Sequence, residues 1–134
     1  MKRYIGTKII EAEPAKKGDA DGYFVKYPDG YTSWSPKEAF EEAYRESGGM
    51  TFGLAVEALK KGEQVARAGW NGKGMFLYLI KDSDLAKGLR YGFGEYLNEP
   101  EFVSSICMKT ADNKLVVGWL ASQTDMLAED WMLV

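Results

Sequence analysis

The chain has 134 residues, of which 46% are apolar and 28% are charged, so it is expected to form one compact domain, or a small domain with an added module. Its net charge is −3, it has no histidine, and its one cysteine is Cys107; these counts exclude histidine-dependent catalysis, zinc sites built from His or Cys clusters, internal disulfides and a nonspecific grip on a nucleic-acid polymer. No apolar run is long enough for a membrane span or a signal peptide, so we expect a soluble cytoplasmic protein with no membrane partner.

The first segment, residues 1–49, is predicted to form a small module with one helix. A strand is expected from Tyr4 to Ile10, where β-branched and aromatic residues are frequent. Two further strands form a hairpin across the turn sequence at residues 28–30, Pro-Asp-Gly. A helix follows, with Ser35 opening a capping box and Pro36 at the first helical position.

The second segment, residues 50–134, is predicted to hold one main helix and an antiparallel sheet. Thr51 is placed to cap the helix, and its apolar residues then recur on one face. Met75 to Ile80 is the strongest strand pattern, residues 101–119 form a second hairpin, and residues 131–134 end the chain as a strand. The predicted fold class is α+β, a mostly antiparallel sheet with one main helix in each segment.

A glycine-rich turn at residues 69–74 is the first candidate binding site. Its glycines let the backbone approach a ligand closely, and Lys73 adds a positive charge. Trp70 offers a flat apolar face for a nucleobase, and Arg67 lies nearby in the sequence. The alternative is the Asn-Gly turn of a hairpin, with the tryptophan packed in the core.

The second candidate site lies where Trp119 precedes a predicted helix start at Ser122. A helix N-terminus next to an aromatic residue can hold a phosphate or a ribose. Gln123 and Thr124 bring an amide and a hydroxyl to this position. The stretch from Ser122 to Asp125 also matches an ordinary capping box, in which these residues do no more than start the helix.

Three stretches of the second segment make the chain resemble a family of phage and prophage proteins. They are Met50-Thr51-Phe52-Gly53, Ala68-Gly69-Trp70-Asn71-Gly72-Lys73-Gly74-Met75-Phe76, and the run from Trp119 to Trp131. On these motifs the sequence from Met50 to Val134 closely resembles the second Thoeris anti-defence family. Residues 1–49 are similar to a separate module that is common in phage proteins.

The resemblance implies a function that composition does not reveal. Thoeris defence makes a cyclic ADP-ribose isomer that activates a host-killing effector, and family members bind this messenger without cleaving it; some relatives also bind cyclic dinucleotides. The resemblance therefore implies a homotetramer in the host cell cytoplasm, with ligand pockets between protomers and with no catalytic residue, cofactor or metal. The residues that match family motif positions are Trp70, Asn71, Trp119, Gln123, Thr124 and Asp125.

Two other functions are compatible with the sequence. One is a small phage structural or adaptor protein, in which both tryptophan motifs belong to the core. The other is a nucleotide-processing enzyme that uses Asp125, Glu129 or Asp130, although adjacent carboxylates such as the last two are typical of a solvated surface turn. The predicted ligand-binding residues are Arg67, Trp70, Asn71, Lys73, Trp119, Gln123, Thr124 and Asp125.

Overall fold

The computed structural model describes residues 1–88 and 101–134, and at residues 71, 72 and 86–88 it describes the main chain alone. The chain divides into two compact units, Met1–Glu46 and Ser47–Val134. All the described strand pairs are antiparallel, and helices accompany the sheets, which confirms the predicted α+β class. In these described ranges, no helix combines the length and the apolar character that crossing a membrane requires.

The first unit is built on a three-stranded sheet in the order β1-β2-β3. The strands are Glu11–Lys17 (β1), Ala20–Lys26 (β2) and Thr32–Pro36 (β3). The predicted strand from Tyr4 to Ile10 is therefore wrong, because residues 1–10 contain no strand and β1 begins after them. Strand pairing starts from the tight turn at Gly18, whose φ of 63° suits glycine, and it runs back to Glu11.

The predicted hairpin across residues 28–30 is confirmed as the pair β2 and β3, and its Trp34 packs against the sheet. Trp34 lies across Gly22, where an added Cβ would meet the indole ring at 2.4 Å. The indole Nε1–H of Trp34 donates a hydrogen bond of 2.9 Å to the carbonyl oxygen of Ala15 in β1. This side chain therefore ties the three strands together.

Helix α1, Lys37–Ala43, begins without the predicted capping box. Ser35 is still part of β3 and pairs with Tyr23, so its hydroxyl does not cap the helix; Pro36 is the N-cap residue instead. Phe40 of the helix stacks on Tyr23 with ring centroids 4.1 Å apart, which attaches the helix to the sheet.

The second unit has five strands, three α-helices and a short 3-10 helix within the described residues. In chain order they are α2 (Phe52–Lys60), β4 (Val65–Arg67), the 3-10 helix (Ala68–Lys73), β5 (Phe76–Ile80), α3 (Asp82–Gly88), β6 (Ser105–Lys109), β7 (Leu115–Val117), α4 (Gln123–Leu127) and β8 (Trp131–Leu133). The sheet order is β7-β6-β5-β4-β8.

Helix α2 begins at the predicted cap and packs against the sheet. The hydroxyl of Thr51 accepts a hydrogen bond from the main-chain N–H of Leu54 at 3.3 Å. Leu59 of the helix, Val65 of β4 and Leu77 of β5 are at most 1% exposed. Fully burying an aliphatic side chain of this size contributes about 1.5–3 kcal/mol, so this layer is the main apolar core of the unit.

The chain segment before α2 covers the outer edge of β8. The main-chain N–H of Met50 donates to the carbonyl oxygen of Trp131 at 3.0 Å, and the N–H of Trp131 donates to the carbonyl oxygen of Met50 at 3.1 Å. The hydroxyl of Ser47 accepts a hydrogen bond from the N–H of Leu133 at 2.8 Å. These bonds place the start of the second unit at Ser47.

Candidate functional site

Three tryptophans of the second unit, Trp70, Trp119 and Trp131, meet at nearly right angles and form what we call the tryptophan cluster. The ring centroids of Trp70 and Trp131 are 5.5 Å apart, and those of Trp70 and Trp119 are 6.0 Å apart, with interplanar angles of 79° and 82°. Trp131 is fully buried, whereas Trp70 and Trp119 are half-buried. The structure therefore brings together the tryptophans of both predicted motifs, and each of these two keeps part of its surface accessible.

Different elements bring the three indoles together. Trp70 lies in the 3-10 helix. This helix takes the place of the two-residue hairpin turn that the Asn-Gly sequence offers as an alternative. Gly74, with a φ of 65°, follows the helix. Trp119 comes after β7, and its main-chain N–H donates to the carbonyl oxygen of Ile106 at 2.8 Å. Phe52, the first residue of α2, packs against Trp131 at 5.3 Å between ring centroids.

Arg67 is held by two carboxylates beside the cluster. Its Nε lies 3.0 Å from Oδ1 of Asp130, and its Nη1 lies 3.1 Å from Oδ1 of Asp125. The side chains of Arg67 and Asp125 are 26% and 14% exposed. The hydrogen bonds to Asp130 and then Asp125 raise the pKa of Arg67, against the opposing effect of its burial. A phosphate at this guanidinium would therefore compete with two carboxylates that already neutralise it.

The stretch from Ser122 to Asp125 forms a complete capping box. The Ser122 hydroxyl accepts from the N–H of Asp125 at 3.1 Å, and the N–H of Ser122 donates to Oδ2 of Asp125 at 3.0 Å. The carboxylate of Asp125 therefore occupies the start of α4, the position at which the sequence suggests a phosphate. The helix is also short, with five residues. The indole Nε1–H of Trp131 donates to the carbonyl oxygen of Asp125 at 3.0 Å, which joins the capped turn to the cluster.

The other predicted site residues are accessible from solvent or lie outside the description. Gln123 and Thr124 are exposed at the first turn of α4, and the Thr124 hydroxyl is 2.9 Å from that of Ser122. Lys73 is exposed at the end of the 3-10 helix. The side chain of Asn71 is outside the described residues. Among the side chains that the structure describes, no group of three or more Cys, Asp and Glu is placed to hold a metal ion.

Asp130 and Trp131 are residues of this region whose contacts sequence reasoning missed. The sequence favours a solvated surface carboxylate at Asp130; its side chain is 37% exposed, but it also pairs with Arg67, which the sequence did not indicate. Trp131, expected in the terminal strand and at the end of the third family motif, is the buried centre of the cluster. The pairing of β4 with β8 puts Arg67 opposite Trp131. The contacts of Asp130 and Trp131 therefore depend on strand pairing, which the local sequence does not reveal.

Comparison with known proteins gives one family. Residues 50–134 match the model described as the Thoeris anti-defense 2-like domain. A protein of Bacillus phage SP01 named Thoeris anti-defense 2 is 58% identical over 85 residues, which cover 63% of this chain and 94% of that protein. Residues 1–49 lie outside the family match.

The ion pair between Arg67 and Asp125 gives a stability prediction. We expect Asp125→Asn to lower the free energy of unfolding at pH 7 by about 1–3 kcal/mol, because it removes a charged hydrogen-bond acceptor from a mostly buried site. Burial raises the pKa of Asp125, but the hydrogen bonds from the Ser122 N–H and hydroxyl and from Arg67 outweigh it, so the pKa lies below its usual value. The carboxylate therefore stabilises the fold above pH of about 4, and this contribution is lost as the pH falls through the folded-state pKa.

Urea unfolding of wild type and Asp125→Asn, at pH 7 and at steps below pH of about 4, measures this effect. The difference between the two proteins should be largest at pH 7 and should shrink in acid. Asp112→Asn is the matched control, because Asp112 is also hydrogen-bonded but is exposed, beside Thr110 and Lys114. Equal urea midpoints for wild type and Asp125→Asn at pH 7 would contradict the stabilising role of the pair.

Proposed function

The chain belongs to the Thoeris anti-defense 2-like family, and we propose that it is a phage protein that counteracts Thoeris defence by sequestering a cyclic ADP-ribose-type messenger. Bound messenger would be withheld from the effector that it activates, in the cytoplasm of the infected cell. The observation that carries the proposal is the family match over residues 50–134, supported by the 58% identity to the phage SP01 protein. We assign ligand binding to that region and treat the first unit, Met1–Glu46, as a separate module.

The tryptophan cluster supports binding of a nucleotide ligand. Trp70 and Trp119 are half-buried, so each is fixed by packing while part of its ring surface is accessible. Stacking of a base on an aromatic side chain contributes about 1–3 kcal/mol. Nearby polar groups of the ligand would meet the exposed side chains of Gln123, Thr124 and Lys73.

We propose that the ligand is bound without being cleaved. A general acid or base works best when its pKa lies near the pH of the reaction. The pKa of Asp125 lies below its usual value, because the Ser122 and Arg67 hydrogen bonds outweigh its burial, so this carboxylate does not have the environment of a proton donor at neutral pH. Sequestration needs affinity alone, and nanomolar affinity corresponds to about −12 kcal/mol.

We also propose that the protein acts as a homo-oligomer, a tetramer, that encloses its ligand between protomers. The ligand is of dinucleotide size, and a cyclic dinucleotide has similar dimensions. The described part of the second unit is a sheet of five short strands with short helices, on which a molecule of this size would need a second copy to surround it. Enclosure between copies would supply the contact area that tight binding needs.

The proposal predicts that a bound messenger is returned intact. We expect the protein to deplete a cyclic ADP-ribose isomer from solution, and heat denaturation of the washed complex should release the same compound, as identified by chromatography. Release of a linear or shortened product would indicate the enzyme alternative. If no compound is retained, the protein is better described as an adaptor.

Replacement of Trp70 gives a second prediction. Trp70→Leu keeps an apolar side chain against Trp131 but removes the flat ring, so we expect affinity for the messenger to fall about ten- to a hundredfold. Calorimetric titration measures this loss, and a thermal melt reports on folding. Phe52→Leu is the matched control, because it makes the same kind of change in a ring that also packs on Trp131. Equal affinities of the two variants would contradict a stacking role for Trp70.

A further inference from the structure

The two edges of the sheet in the second unit differ in how they are covered. The edge formed by β8 is bonded to Met50 and Ser47. The edge formed by β7 pairs with β6 on its inner side. On its outer side, no hydrogen bond from the described residues reaches the main chain of Leu115 or Val117. Among the residues that the structure describes, one edge of the sheet is thus covered by the chain itself, and the other presents pairing groups.

The register of β6 and β7 identifies the main-chain groups that point outward. Hydrogen bonds join Thr110 to Lys114 and Ile106 to Gly118, and Val116 lies opposite Met108 midway between them. In an antiparallel ladder, hydrogen-bonded residues alternate with residues whose main-chain groups face the other way. The N–H and C=O groups of Leu115 and Val117 therefore point away from β6, two donors and two acceptors in a row.

The side chains of β7 are apolar and accessible on both faces. Leu115, Val116 and Val117 are 62%, 45% and 59% exposed. Sheet edges are usually protected from pairing by a charged residue, a proline, a bulge or a covering segment. The three residues of β7 include neither a charge nor a proline, which is typical of an edge that accepts another strand.

We propose that β7 pairs antiparallel with β7 of a second copy of this chain, about a two-fold axis at Val116. In this register Leu115 lies opposite Val117 of the second copy, so the outward donors and acceptors of each strand meet those of the other. A two-fold interface requires such a self-complementary surface. Lys114 falls opposite Gly118 of the second copy, so no like charges are opposed. This inference rests on the self-association proposed above and goes beyond it by naming the surface and the register.

The pairing also bears on the candidate site. Trp119 follows the last residue of β7 by two positions. In the antiparallel register, the turn that precedes β7 in the second copy would lie near Gly118, at the end of β7 that leads to Trp119. Each copy would bring a polar turn toward the accessible tryptophan of the other, so the ligand site would be completed by the interface.

Disulfide cross-linking tests the register directly, in a Cys107→Ala background that removes the buried native thiol. Val116→Cys would face its own counterpart at a non-hydrogen-bonded position, with Cα atoms about 4.5 Å apart, which a disulfide can span. Mild oxidation should therefore give a covalent dimer as the main product. Leu115→Cys should not cross-link to itself, because its counterpart is displaced along the strand. A mixture of Leu115→Cys and Val117→Cys should give the mixed dimer.

Light scattering of Val116→Lys, which places two like charges across the two-fold axis, provides a second measurement. We expect its mass to be half that of the wild-type oligomer, while circular dichroism remains that of the folded protein because Val116 is partly exposed. Failure of Val116→Cys to cross-link more than Leu115→Cys, or an unchanged oligomer for Val116→Lys, would overturn the pairing. Messenger retention is measured separately. Cross-linking without retention would reject the proposed function but support the interface. Retention without cross-linking would support the proposed function but reject the interface.

Discussion

The fold of the second unit depends on the burial of one side chain, the indole of Trp131. It is 0% exposed, and its Nε1–H, which would be costly to bury unpaired, donates to the carbonyl oxygen of Asp125. Its main chain is bonded to Met50 on one side, and it lies opposite Arg67 in β4 on the other. Replacing a buried tryptophan by alanine costs about 3–5 kcal/mol, so Trp131 accounts for much of the stability of a unit this small. The positions of Trp70 and Trp119 follow from their packing against it.

The second constraint is the charge balance around Arg67. Two carboxylates, of Asp125 and Asp130, bind one guanidinium, so this group carries a net negative charge close to the candidate ligand surface. An anionic ligand would therefore avoid this corner and approach the exposed parts of Trp70 and Trp119. Lys73 is the cation of the predicted set that is free to meet phosphate, since it is exposed at the end of the 3-10 helix. Arg67, by contrast, is already paired with Asp125 and Asp130.

Local signals in the sequence predicted two of the three expected helix caps; Ser35 is the exception, because it pairs with Tyr23 in β3. Thr51 and Ser122 cap helices as expected, because a cap depends on residues three positions away. The strand expected from Tyr4 to Ile10 failed because strand formation depends on a partner, and the partner of β2 is the segment that begins at Glu11. The role of Asp130 was missed for the same reason, since Arg67 is 63 positions away along the chain. The family motifs indicated the two tryptophans, whereas their contact with each other requires the folded sheet.

The proposed function requires that a cyclic nucleotide messenger sits on the accessible surfaces of Trp70 and Trp119. The chain has four tryptophans, so a spectrum of indole N–H groups labelled with ¹⁵N contains few signals, and single Trp→Phe variants assign them. Trp34 is the internal reference, because it belongs to the first unit and its N–H is bonded to Ala15. On addition of a cyclic ADP-ribose isomer, we expect large shifts of the Trp70 and Trp119 signals and an unchanged Trp34 signal. A spectrum in which Trp70 and Trp119 do not move while the ligand is bound would contradict this requirement.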